Sequence, residues 1–201
     1  MAFSLGAAAL LMVATLARPA HAADAPQTAT SPKLVGGFPR TALEAGVGPT
    51  GVASTWRGDG GAGASARLGL LLFGVVSPDV LTRLQYSLVD DRMLTYLSLG
   101  VTGYVPLRVV RPYARAGFVH QHEESRAAIE DGPGQAALGV GPGIRHRAGF
   151  TTALGLDLPV GHQGASYFTL GGDVAATHFP DPRGPATYVA GTLWVTLHQG
   201  L

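Results

Sequence analysis

Residues 94–117 read LTYLSLGVTGYVPLRVVRPYARAG, and the spacing of their apolar side chains decides the fold. Leu97, Leu99, Val101 and Val105 fall on one side of a period-2 pattern, and Tyr96, Ser98, Gly100, Thr102 and Tyr104 on the other. Alternation of this length predicts a β-strand with two chemically different faces. Pro106 to Arg111 reads as a tight turn, and the chain returns as a second strand through His122.

Working outward, the same rhythm recurs. Leu84, Tyr86 and Leu88 oppose Arg83, Gln85 and Ser87. Phe150, Leu154, Leu156 and Leu158 oppose Thr151, Ala153, Gly155 and Asp157, while Phe168, Leu170, Val174 and Ala176 oppose Thr169, Gly171 and Asp173. In the last segment Val189, Leu193, Val195 and Leu197 oppose Tyr188, Thr192, Trp194 and Thr196.

Composition says what these faces meet. Of 201 residues, 46% are hydrophobic and only 13% charged, against about 25% charged in ordinary soluble domains. The longest apolar stretch beyond the N-terminus, Leu68–Val76, is too short for a spanning helix of about 20 residues but suits a tilted transmembrane strand of about 9–11. A soluble sandwich or lipocalin-like barrel would give the same alternation with its apolar face turned inward. The polar face decides between them, because it carries Gly, Ala, Ser, Thr and Tyr rather than Lys and Glu, and the chain's one lysine is Lys33. Small residues belong where side chains converge inside a narrow barrel. The absence of cysteine excludes disulfides and thiolate metal sites. A net charge of +1 gives no electrostatic case for nucleic acid.

Ala2–Leu16 has the length of a signal-peptide apolar core, and Ala20-His21-Ala22 fits the small-residue cleavage pattern, although no Lys or Arg precedes the core. The expected organisation is an export signal at 1–22, a flexible Pro/Thr/Ala-rich leader at 23–40, and a barrel at 41–201. Nine segments look strand-like, but single-chain bacterial barrels have an even number of strands. Short inner turns and long outer loops then assign Glu123–Arg147 to one outer loop, with Ala136–Ile144 as a hairpin arm inside it. The spacing predicts an eight-stranded antiparallel up-and-down transmembrane barrel, with strands near 41–52, 65–76, 80–89, 93–105, 111–122, 149–160, 166–178 and 187–198. Eight strands leave a lumen just filled by side chains. By parity Glu44, Arg83, Arg115, Asp157 and Asp173 face inward, where opposed charges must pair as a structural plug.

The stretch 94–117, with Arg111-Pro112-Tyr113 followed by small alternating residues, resembles the middle hairpin of small outer-membrane β-barrel proteins of the OmpA/OmpX type. That resemblance implies an all-β barrel in the outer membrane of a Gram-negative bacterium, with outer-membrane lipids and the envelope assembly machinery as partners. It implies no activity.

Three motifs remain. Parity puts His120 and His122 at the top of one strand, His146 in the long loop and His178 atop another strand, beside Glu123 and Glu124. Four imidazoles at one end of a barrel can hold a divalent transition metal such as Zn, Ni or Cu. The polarity of strand ends leaving a membrane accounts for the same residues without a metal. No other cofactor is implied. Residues 177–184, THFPDPRG, resemble the strand-end segment of outer-membrane lipid A deacylases at His178, but Pro180 stands where the nucleophilic serine should be. No Asp or Glu follows Gly184 to orient the histidine, so no activated hydroxyl is expected. Arg57-Gly58-Asp59 and GDGGAG at 58–63 read as a flexible turn. The expected role is non-enzymatic: a barrel that displays its outer loops in an envelope-structural or interaction role.

Overall fold

The structure, a computed structural model, describes residues 34–201 apart from Gly36, Arg57, Asp90 and Leu138. The export signal, most of the leader and Arg57 lie outside the described residues. In chain order the elements are a small hairpin, β1 (Leu34–Val35) and β2 (Phe38–Pro39), then β3 (Ala42–Ser54), β4 (Gly60–Leu71), β5 (Val76–Ser87), β6 (Arg92–Tyr104) and β7 (Arg111–Ser125). Two short helices follow, α1 (Arg126–Asp131) and α2 (Pro133–Ala137), before β8 (Ile144–Gln163), β9 (Ser166–His178) and β10 (Thr187–Gly200). Strands β3 to β10 close into one antiparallel barrel, each paired with its chain neighbours and β10 with β3. The expected eight-stranded up-and-down barrel is the fold observed.

Side chains alternate along every strand as the period-2 reading requires. Leu99, Phe118, Leu154 and Leu193 point outward and are 61–71% exposed, whereas Trp194, Tyr96 and Arg111 point inward and are at most 2% exposed. Polar residues inside and bare apolar residues outside is the reverse of a soluble protein, and it is the arrangement a lipid-facing barrel requires. Connections 72–75, 105–110 and 164–165 lie at one end of the barrel, and 55–59, 88–91, 126–143 and 179–186 at the other. These are the short-turn and long-loop ends.

Four expectations are corrected. Strands expected at 65–76 and 80–89 run over Gly60–Leu71 and Val76–Ser87. The apolar run LLFGVV conceals the turn, in which Phe73 and Gly74 both take positive φ (57° and 75°) and Leu72 bridges Val76. Ser77-Pro78-Asp79, which reads as a turn, is strand: Pro78 pairs with Val101 of β6, just beyond the last β4–β5 pair, Gly69–Asp79. Its missing N–H therefore interrupts no β4 ladder.

The other corrections concern the loop and the leader. The ladder between β7 and β8 continues to Glu124–Ile144, so the long loop is 126–143 rather than 123–147. Ala136–Ile144 is no hairpin arm. The chain turns instead into α1, whose N-cap Ser125 side chain accepts from the Ala128 N–H. Lastly, the leader does not stay free up to Arg40. Phe38 is 1% exposed and meets His198 edge-on with ring centroids 6.2 Å apart, covering the short-turn end of the lumen.

Candidate functional site

Two arrangements carry the chemistry: a network inside the barrel and a histidine group on its wall.

At the short-turn end, Nη2 of Arg111 donates to Asp157 at 2.9 Å and to Glu44 at 3.4 Å. Glu44 also lies 2.9 Å from Nδ1 of His198 and accepts from the Tyr104 hydroxyl at 3.2 Å. The Arg111 guanidinium stacks on Tyr104 and Phe38, 3.8 and 4.4 Å from the ring centroids. Midway, Arg115 pairs with Asp79 at 2.6 Å and donates to Ser98 at 3.0 Å, and Thr102 donates to Asp79 at 2.6 Å. Asp173 accepts from Trp194 Nε1 at 2.8 Å and from Tyr113 at 3.1 Å. Towards the long loops, Glu123 joins Arg147 at 3.0 Å and Arg145 at 2.7 Å, and accepts from Gln121 at 2.9 Å. Arg147 ties the 179–186 loop down by donating to the Asp181 and Pro185 carbonyls, and sits 4.6 Å above the buried Phe179 ring.

All five residues expected inside are inside and buried. Glu44, Arg115 and Asp157 are in ion pairs. Asp173 is satisfied by neutral donors instead, and Arg83 lies over Tyr96 at 5.1 Å. Sequence reasoning missed Asp79, Arg111, Glu123, Arg147, Arg67 and His198. Parity would have found most of them once the strand limits were known. Arg67 stands apart: among the described residues no acceptor lies within hydrogen-bond reach of its guanidinium, which rests against Trp194 and Tyr113 at 5.3 and 5.5 Å.

The histidines face the other way. Outward positions of β7 run Ala114, Ala116, Phe118, His120, His122, and those of β8 run His146, Ala148, Phe150. His122 and His146 are register partners. The apolar wall therefore ends at the Phe118–Phe150 contact, with centroids 5.1 Å apart, and gives way to imidazoles towards the long loops. One ring nitrogen from each of His120, His122 and His146 lies within 4.8 Å of the others, and His120 Nε2 is 3.4 Å from His146 Nδ1. Glu124 continues the same face, its carboxylate buried and 4.0 Å from His122 Nδ1. Gly139 (φ +70°) brings the long loop so close to His122 that any side chain there would strike the ring. His178 does not join this group. It is exposed on β9, paired in register with Phe150, and its Nδ1 is 3.2 Å from the Thr187 hydroxyl. In the segment like the deacylases, Phe179 turns into the barrel and the next position is Pro180, so no hydroxyl stands where a nucleophile is required.

The fold is that of a small transmembrane β-barrel with a filled lumen. Among solved structures the chain is similar to Neisserial surface protein A (NspA), with TM-score 0.53 and 11% identity over 80% of this chain and 97% of that one. It is also similar to OprG from Pseudomonas aeruginosa (TM-score 0.45, 12% identity, 82% and 96% covered) and to Ail from Yersinia pestis (TM-score 0.45, 11% identity, 79% and 95% covered). No family model matches the chain, and no curated protein matches it. The likeness to NspA is a likeness of fold.

Proposed function

We propose that this chain is an outer-membrane barrel of a Gram-negative bacterium, exported by its N-terminal segment, with a sealed lumen and a non-catalytic role in the envelope exercised through its long-loop end. The observation that carries the reading is the inside-out distribution of side chains. Buried Arg67, Arg83, Arg111, Arg115 and Arg147 share the lumen with the buried carboxylates of Glu44, Asp79, Glu123, Asp157 and Asp173, while the outer wall is apolar. A lumen that narrow, filled by large side chains and crossed by buried ion pairs, is a plug rather than a channel. Its partners are the lipids around the wall and the assembly machinery that inserts barrels; its working surface is the loops at 126–143 and 179–186.

Fractionation tests the placement and bilayer recording tests the plug. The protein should sediment with outer membranes, require detergent for release, and give no stepwise conductance in a planar bilayer. Recovery in the periplasmic supernatant without detergent overturns the membrane reading, and sustained conductance steps overturn the sealed lumen.

A further inference from the structure

The geometry points to a divalent transition-metal site on the outer wall of the barrel, formed by His120, His122 and His146, with Glu124 as the adjoining carboxylate. A tetrahedral ion with Zn–N bonds of about 2.0–2.1 Å holds its ligand nitrogens about 3.3 Å apart. His120 Nε2 and His146 Nδ1 are already 3.4 Å apart, and all three ligand atoms lie within 4.8 Å. The two edges that His122 makes are at most 4.8 Å, and His122 and His146 are paired residues of adjacent strands, so the β7–β8 ladder itself holds the three rings together.

A second observation points the same way. His122 Nδ1 and Glu124 Oε1 are both buried, and among the described residues neither has a hydrogen-bond partner. A buried acceptor left in that state costs about 1–3 kcal/mol, and a cation between them would satisfy both. Glu124 accepts from Thr95 at 3.4 Å through its other oxygen, so one oxygen remains for the ion or for a ligand imidazole. Leu97 stands beside His120 on β6, and Leu99, Phe118 and Phe150 continue the wall towards the short-turn end, giving the donors a dry apolar surround. Three neutral nitrogens with one carboxylate suit Zn(II), Ni(II) or Cu(II) and are a poor set for the hard cations Mg(II) and Ca(II). The ion would staple β7 to β8 where the longest loop begins.

The test uses protein folded in detergent and free of any affinity histidines. Zinc chloride is titrated by calorimetry, and copper(II) sulfate is followed by electron paramagnetic resonance. The expected result is one zinc per barrel and copper superhyperfine lines from three nitrogens. His146→Ala should weaken zinc by more than the roughly 10–100-fold that loss of an outer partner costs, and Glu124→Gln by an amount within that range. His178→Ala should leave the isotherm unchanged. Each variant is first shown to be folded by the difference in gel mobility between heated and unheated samples. If His120→Ala/His146→Ala takes up zinc like the parent, or if His178→Ala weakens it as much as His146→Ala, the site does not exist. Neither result bears on the membrane placement, which fractionation decides separately.

Discussion

Replacing Arg111 by methionine removes the cation that the short-turn end of the lumen is built around. Its guanidinium is fully buried and serves Asp157 and Glu44 with the same nitrogen, while its plane lies on Tyr104 and Phe38. Met fills similar volume without charge, so the loss is electrostatic rather than a cavity. Glu44 keeps His198 and the Tyr104 hydroxyl, but among the described residues Asp157 has no second ion-pair partner, and its other oxygen accepts no hydrogen bond. Stranding one member of a buried pair costs about 3–5 kcal/mol, and the lost stacking on two rings adds about 1–2. Arg111→Met should therefore lower stability by about 4–7 kcal/mol.

Arg67→Met is the internal control. This arginine is equally buried but makes no hydrogen bond among the described residues and rests on the Trp194 and Tyr113 rings, so its loss should cost less, about 1–2 kcal/mol. Asp157→Asn in the Arg111→Met background should recover roughly 1–3 kcal/mol, because it removes the stranded charge. Urea titration of protein folded into lipid vesicles, followed by tryptophan fluorescence, measures the three variants against the parent. If Arg111→Met lies within about 1 kcal/mol of the parent, or costs no more than Arg67→Met, the pairing argument is refuted.

Leu99→Arg, in the outward apolar run of β6, should cost about 2–4 kcal/mol in the same titration if that wall faces lipid; an unchanged midpoint would place the wall in water. A Cβ at Gly155 would overlap the Tyr113 ring and the Gly172 carbonyl, so Gly155→Ala should destabilise by about 1–3 kcal/mol through overpacking. In the 179–186 loop, hydrogen bonds from the Arg183 side chain and backbone N–H hold the Asp181 carboxyl down to about 2. A carboxyl depressed on folding contributes its stabilisation above its ordinary value and loses it as pH falls through the lowered one. Carbon-detected NMR of Asp181 should accordingly show a midpoint near 2, and a midpoint near 4 would mean that the clasp does not form.

The architecture was legible because alternation survives even where boundaries do not. Strands expected at 93–105 and 166–178 are found at Arg92–Tyr104 and Ser166–His178, and the shifted pair β4–β5 kept Arg83 on the correct face. What a misplaced turn does conceal is a partner. Reading Ser77-Pro78-Asp79 as a bend removed Asp79 from the lumen and left Arg115 without its counter-ion. Likewise the reach of the β7–β8 ladder, which local spacing does not determine, hid Glu123 and Arg147 inside a supposed loop. For the histidines, spacing put His120 and His122 on one face. The outward position of Phe118, two residues earlier, already implies that this face looks away from the lumen. The presence of His146 and the exclusion of His178 follow only from register: His146 pairs with His122, His178 with Phe150.

Why the lumen is charged at all follows from the same period of two. A one-residue slip of any strand exchanges its faces, and a barrel apolar on both faces would have no strong preference among registers. A slip of β7 here would carry Arg111, Arg115 and Glu123 out to the wall and Ala114, Ala116 and Phe118 into the lumen. Each arginine moved towards the bilayer midplane costs about 2–4 kcal/mol, before the carboxylates left behind are counted. Stability alone would be served as well by apolar packing, since buried pairs often do no better than hydrophobic residues of equal volume. What the charges add is a penalty on every neighbouring register, and Arg67, Arg83, Arg111, Arg115 and Arg147 distribute that penalty over β4, β5, β7 and β8. The lumen is thus explained by folding specificity without any transported ligand. Strand-end polarity accounts for His120, His122 and His146 one by one but not for three ring nitrogens converging within 4.8 Å, and it is there that a function beyond architecture is to be sought.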